Sequence, residues 1–338
     1  MKSKEILEKL FNKENLQSEE ISSVLNDFIK GELNDSQMAA FLIALRMKGE
    51  TVDEIASLIQ TMRGHMIPFP EVSDAFDTCG TGGDGAGTFN ISTTVAFVMA
   101  GAGVPIIKHG NKAASSRCGS ADVLTELGIK IMLDPEQAKK IFDAVGMIFL
   151  FAPLYHPATK RIVPVRQALG TRTVFNYLGP FLNPAKVTKQ IIGVPNQSIA
   201  KILGEVAVQF NYRHLLIVTS ESGMDEIDII GKTNMFEIKE ENISEKIINP
   251  QELGFQEYFK EQVSGGDVKE NAQILIDILT GKKDARRDIV VLNSAYALLA
   301  ADKVSNVIDG MRLAEESIDN GNAKKVLEKL KEETQKYA

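Results

Sequence analysis

Tryptophan is absent from this chain, cysteine occurs twice, and aromatics make up only 7% of the residues. With two cysteines a secreted disulfide framework is not expected, and a reducing cytoplasm is the expected location. No CxxC pair and no Cys/His cluster occurs, so a zinc site is not supported. The scarcity of aromatics leaves no base-stacking platform. No apolar run reaches about eighteen residues, which argues against a membrane span. The opening MKSKEILEKLF is charged throughout and has no small-residue cleavage site, so no secretory signal is expected. Positive charge is not in excess either. Lys and Arg total 38 against 45 Asp and Glu, for a net charge of −7. A general nucleic-acid partner is therefore not expected, although a local nest of amides and cations can still hold a small anion.

What is present is ordinary globular material: 338 residues, 44% of them hydrophobic, enough for a large core and two domains. Residues 1–66 read as four short amphipathic helices forming a small bundle. Ile6, Leu7, Leu10 and Phe11 share one face of the first. Ser18 is the expected N-cap of the second, and Thr51 with Glu54 has capping-box spacing for the fourth. Pro68 and Pro70 then mark an extended hinge over 67–76. Beyond it apolar runs alternate with helical stretches through 77–156 and 186–338, the pattern of an α/β domain with a mostly parallel central sheet flanked by helices. The intervening 157–185 reads as helix and loop that returns to the helical domain.

The densest signal is DTCGTGGDGAGTFNIST at 77–93. Gly80, Gly82 and Gly85 satisfy GxGxxG, a weak match by itself. The preceding EVSDAFDT is short and acidic, a poor buried strand, and about twenty residues on the chain reads Lys108-His109 instead of a ribose-binding acid. No GK[ST] follows, which excludes a P-loop. A glycine loop feeding a helix remains, and its free amides suit an anion. Asn90, Ser92, Thr93 and Thr94 add donors, one of them expected to cap the helix. A plain tight turn with an N-cap fits these residues as well.

A second cluster, KHGNKAASSRCGSAD, follows the apolar PII. Lys108, Lys112 and Arg117 are cations, and Ser115, Ser116 and Ser120 supply hydroxyls. That is the composition of a polyphosphate or phosphoribosyl pocket. In SGMDEID, Asp225 and Glu226 are hard oxygen donors suited to magnesium shared with a phosphate, or else a solvated surface pair. Arg161, Arg166 and Arg172 lie along one segment, where a guanidinium can grip a carboxylate. His156 reads as a structural histidine, and Cys79 and Cys118 as small packed thiols.

The motifs GTGGDGAGTFNIST (80–93), KHGNKAASSRCGSADVLTELG (108–128), FAPLYHPA (151–158), VRQALGTRTVFNYLGPFLNPA (165–185), GMDE (223–226) and SGGDVKENA (264–272) together resemble the anthranilate phosphoribosyltransferase family along nearly the whole chain. The resemblance implies phosphoribosyl transfer from phosphoribosyl pyrophosphate to anthranilate. It also implies magnesium, two ions per subunit, a homodimer built on the helical domain, and a cleft between the helical and α/β parts. It implies that Gly80, Gly83, Asp84, Thr88, Asn90, Ser92, Thr93, Lys108, Asn111, Lys112, Ser115, Ser116 and Ser120 hold the sugar donor. Gly80, His109, Asn111 and Arg166 correspond to the anthranilate site, and Ser92, Asp225 and Glu226 to the metal positions. Two departures stand out: SESG replaces a histidine-glycine pair before Asp225-Glu226, and Lys112 replaces an arginine after KHGN. A pyrimidine-nucleoside phosphorylase and a non-catalytic nucleic-acid-binding relative are the alternatives. GTGGD, KHGN and FNYLGPFLNPA argue against the first, and the acidic charge against the second.

Overall fold

The computed structural model describes residues 3–113 and 117–337. The chain divides into two compact units, one comprising Met1–Pro68 and Pro153–Pro184, the other Phe69–Ala152 and Ala185–Ala338.

The first unit is helical. It contains α1 (Ser3–Phe11), α2 (Ser18–Lys30), α3 (Asp35–Lys48) and α4 (Val52–Gly64). Thr51 and Glu54 form the expected capping box at α4. Ser18 is not a cap. It is the first residue of α2, and Glu20 reaches back to the amide of Gln17 at 2.9 Å, so the helix begins one position earlier than its hydroxyl suggested. Glu54 is fully buried, which it tolerates by accepting from Leu16 N, Thr51 N and Lys48 Nζ. Phe11, expected on the inward face of α1, is 62% exposed.

In the second unit seven strands form one sheet in the order β3-β2-β1-β4-β5-β6-β7. The strands are β1 (Phe76–Gly80), β2 (Ile106–Gly110), β3 (Met147–Phe151), β4 (Lys189–Gly193), β5 (His214–Ser220), β6 (Thr233–Lys239) and β7 (Asn242–Ile248). The first five are parallel and buried almost throughout, as strands covered by helices must be. The last two are an antiparallel hairpin added to the β5 edge. The helices are α5 (Ile91–Gly101), α6 (Ser120–Glu126) and α7 (Pro135–Val145), then α8 (Ala152–Tyr155), which from Pro153 on lies in the helical unit, and α9 (Thr159–Leu169) and α10 (Phe175–Leu178) of that unit. They continue with α11 (Gln197–Val208), α12 (Val268–Leu279), α13 (Ala285–Ala300), α14 (Val307–Asp319) and α15 (Asn322–Gln335). Of these, α5 packs on β1 and β2, α7 on β3, α11 on β5 and β6, and α13 on β4 and β5. Among the described residues no helix is long and apolar enough to cross a membrane.

One expectation fails inside the sheet. The acidic EVSDAFDT reads as a poor buried strand, yet its end enters β1, an interior strand with β2 on one side and β4 on the other. Asp77 is fully buried there and is tolerated because His109 N and Gln190 Nε2 both donate to its carboxylate.

Candidate active site

The strand order reverses at β1, whose neighbours are β2 and β4. Such a switch point opens a crevice at the carboxyl ends of the strands, where open α/β sheets bind ligands. The glycine loop emerges there. Gly82, Gly83, Gly85 and Gly87 all adopt φ between 70° and 72°, a region closed to most L-residues. Left-handed glycines interrupted by Asp84 and Ala86 give the alternating backbone from which anion-binding nests are made.

The loop after β5 closes over this nest. Gly80 and Gly193 are register partners at the ends of β1 and β4. A methyl group on Gly80 would overlap the Asp225 carboxylate, and one on Gly193 the Asp225 carbonyl. Two bare α-carbons side by side are therefore what lets Asp225 descend onto the sheet edge. Its Oδ2 accepts from Gly82 N at 2.7 Å, and its own amide donates to Asp84 Oδ2 at 3.4 Å. Glu226 Oε1 accepts from Ser92 N at 3.1 Å. The first turn of α5 is thus capped by a carboxylate 134 residues away. None of the nearby side chains expected to do so takes that place: Asn90 occupies the cap position without a side-chain bond to the helix amides, and Thr94 Oγ1 donates back to Asn90 O. Asn293 sets the far side of this loop. It accepts from Ile227 N at 2.9 Å and donates to Ile227 O at 2.8 Å.

Three carboxylates, Asp84, Asp225 and Glu226, crowd this corner. Burial, and then the neighbouring Asp84, push the Asp225 carboxyl well up; burial and Asp225 do the same to Glu226. Lys108 opposes the effect on Glu226. It is 2% exposed, donating to the Thr78 carbonyl and, at 3.3 Å, to Ser92 Oγ. Crowded hard oxygens with too little positive charge fit a divalent cation. Magnesium takes one or two carboxylates and fills its shell with water and substrate phosphate, a demand that Asp225 and Glu226 can meet.

The second loop lies beside the first. Asn90 Nδ2 donates to Cys118 O at 3.3 Å. Asn111 holds the loop's turn, its Oδ1 accepting from Lys112 N and its carbonyl from Ser120 Oγ. Asp122 accepts from both Ala113 N and Gly119 N at 2.9 Å and so frames the loop from below. Asn90 Oδ1 and Thr93 Oγ1 are buried with no hydrogen-bond partner among the described residues, which leaves both available to a bound group. His109 is 8% exposed at the end of β2. Ser115 and Ser116 lie outside the described residues. Thr88 bridges to Ser264. Gly80, Gly83, Asp84, Asn90, Ser92, Asp225 and Glu226 thus gather at one sheet edge. Arg166 belongs to the helical unit. There its half-buried guanidinium lies over the Phe175 ring at 5.9 Å and enters no ion pair among the described residues; burial lowers its affinity for a proton.

Asp77, Asp122 and Asn293 were missed from the sequence. Asp122 had a signal, a capping position three residues after Gly119. The other two had none, because their partners are far away in the chain. Both thiols are pushed up by burial, so neither cysteine is poised as a nucleophile.

The same arrangement connects the chain to known proteins. Residues 72–324 match the model of the glycosyl transferase family, a/b domain, and residues 4–66 that of the same family's helical bundle domain. An anthranilate phosphoribosyltransferase of Methanobrevibacter smithii is 44% identical over 98% of this chain and 99% of its own length. One from Thermus thermophilus superposes with a TM-score of 0.91 at 35% identity, covering 97% of this chain and 99% of the other. A structure of the Saccharomyces cerevisiae enzyme in complex with PRPP and Mg gives 0.91 at 29% identity, over 98% and 97% of the two chains. By sequence along its whole length and by fold, the chain belongs to the anthranilate phosphoribosyltransferase family of glycosyl transferases.

Proposed function

We propose that this chain transfers the phosphoribosyl group of phosphoribosyl pyrophosphate (PRPP) to the amine of anthranilate, releasing pyrophosphate and forming N-(5-phosphoribosyl)anthranilate, in tryptophan biosynthesis. The observation that carries this reading is the meeting of a left-handed glycine nest with the Asp225-Glu226 carboxylates at the switch point of the sheet. Amides receive the diphosphate oxygens, and carboxylates hold the metal that accompanies them.

The reaction breaks the bond between the ribosyl anomeric carbon and pyrophosphate and forms one to the aryl nitrogen. Negative charge grows on the departing pyrophosphate. The amides of the glycine loop and the N-terminus of α5 are fixed in place before that charge appears, the most effective form of electrostatic stabilisation. Thr93, Asn111 and Lys112 add donors from the two loops, together with Thr88, Ser115 and Ser116, while Asn90 and Ser120, whose donors go to Cys118 O and Asn111 O, line the same loops. Asp84, Ser92, Asp225 and Glu226 would hold magnesium, two ions per subunit, which supplies Lewis-acid neutralisation of the diphosphate. Lys108 stays on the Thr78 carbonyl and Ser92, steadying the turn that carries the metal-side hydroxyl. An aryl amine is unprotonated near neutral pH, so no strong base is required and none is assigned. Gly80, His109 and Asn111 serve the anthranilate side, and Arg166, a cation with no ion-pair partner among the described residues, takes the anthranilate carboxylate. Catalysis then rests on position and charge.

The chain is proposed to act as a homodimer through its helical unit, where Phe11 and Met47 stand 62% and 79% exposed beside Leu10 and Ile43. The two cysteines, neither of them in a disulfide among the described residues, suit a cytoplasmic location. Anthranilate is fluorescent, so its consumption with PRPP and magnesium, against arms supplied with a pyrimidine nucleoside and inorganic phosphate, tests the function. Consumption that requires PRPP is the expected result. Phosphorolysis of the nucleoside without it would sink the proposal.

A further inference from the structure

The run SGGDVKENA at 264–272 has no part in the chemistry above, yet it is built against the glycine loop. Gly265 N donates to Gly87 O at 2.9 Å, and Ser264 bridges to Thr88. The approach is close: a methyl group on Gly265 would stand 2.6 Å from Phe89 N and 2.7 Å from Asn271 Oδ1. Asn271, in the first turn of α12, is 2% exposed and accepts from Gly266 N at 2.9 Å. Its side chain also hydrogen-bonds Cys118, whose carbonyl accepts from Asn90 Nδ2. Behind the strap, Arg286 Nη2 donates to Ser264 O at 2.9 Å. One buried amide therefore joins the strap to the second anion loop, while the strap holds the first.

We propose that Gly265 and Asn271 are positioning residues, a brace that holds both anion loops in the geometry that receives the diphosphate of the sugar donor. Four glycines at positive φ make the loop after β1 intrinsically loose. Amides that must be ordered at the moment of binding cost affinity, whereas amides held beforehand do not. The brace supplies that order from residues that do not touch the ligand. It rests on the reading that the glycine loop is the diphosphate site.

The test titrates pyrophosphate into the full-length protein in excess magnesium by calorimetry, and in parallel measures steady-state constants for PRPP and anthranilate. Wild type is compared with G265A, N271A and N271D. Gly265→Ala should weaken pyrophosphate and raise the PRPP KM by roughly tenfold or more, with the anthranilate KM unchanged within about twofold. Asn271→Ala should do the same, and Asn271→Asp, which keeps the acceptor for Gly266 N, should recover part of the loss. If G265A does not fold, the contrast between N271A and N271D decides. Folded variants that bind pyrophosphate as wild type does, or that raise both KM values equally, overturn the brace. A wild-type protein that binds no magnesium pyrophosphate overturns the diphosphate site itself, and the brace with it.

Discussion

Asp225 packs against Gly80 and Gly193, next to Asp84, and accepts from the amide of Gly82 in the glycine loop. Replacing both acids of the pair by isosteric amides, Asp225→Asn with Glu226→Gln, keeps the shape and removes the charge that attracts magnesium. Turnover at ordinary magnesium should fall by roughly 100- to 1,000-fold; an unaltered magnesium dependence would remove the assignment. Arg166 supports a separate prediction. Removing a charge-assisted grip on a carboxylate costs about 1.5–3 kcal/mol, so Arg166→Ala should raise the anthranilate KM by roughly 10- to 100-fold and leave the PRPP KM alone. An anthranilate KM that does not change ends that role. His156 concerns stability instead. It is 3% exposed, and burial lowers its pKa from 6.5 to about 4, partly offset by a hydrogen bond to the Leu182 backbone. The fold therefore holds the neutral ring. Above pH 6.5 both folded and unfolded chains are neutral there and the contribution is complete. As pH falls from 6.5 toward 4 the unfolded chain takes up a proton that the folded chain refuses, and up to about 3 kcal/mol is lost. Denaturant titrations at pH 7.5 and pH 5 should differ less for His156→Gln than for wild type; equal differences would show that the ring is not the source.

At the scale of elements, the strand ends decide the site. β1 and β4 end in paired glycines so that the loop after β5 can pass over them. Gly193→Ala adds one methyl where the Asp225 carbonyl lies. Displacing that residue's carboxylate by about 1 Å should cost roughly 100-fold in kcat/KM, with PRPP protection against thermal unfolding lost in parallel. Wild-type activity in this variant would contradict the packing. The glycine loop, the Lys108-His109 strand end and the Asp225-Glu226 pair were legible because each is a local run whose composition states its chemistry. β1 was misread for a physical reason: an aspartate in a strand looks exposed until His109 N and Gln190 are seen to satisfy it. Ser18 and the side chains around Asn90 are natural caps by type, but Ser18 already lies inside α2, where Glu20 closes back on Gln17 N, and the distant Glu226 takes the Ser92 amide. Partners 66 or 134 residues apart, as for Asn293 with Ile227 and Glu226 with Ser92, leave no trace in spacing.

At the scale of the whole molecule, the exposed Phe11 and Met47 of the helical unit are the apolar surface on which the proposed dimer rests. Met47→Glu should shift the sedimentation coefficient toward that of a 37.0 kDa monomer; a wild-type protein already monomeric at micromolar concentration would remove the dimer. More centrally, main-chain amides after β1, the first turn of α5 and the acids after β5 are proposed to close around one diphosphate. Diffraction from crystals of this protein grown with PRPP and magnesium tests that most directly. The expected result is the diphosphate against the amides of 82–93, with metal density beside Asp225 and Glu226. A diphosphate seated elsewhere, with those amides facing solvent, would contradict it.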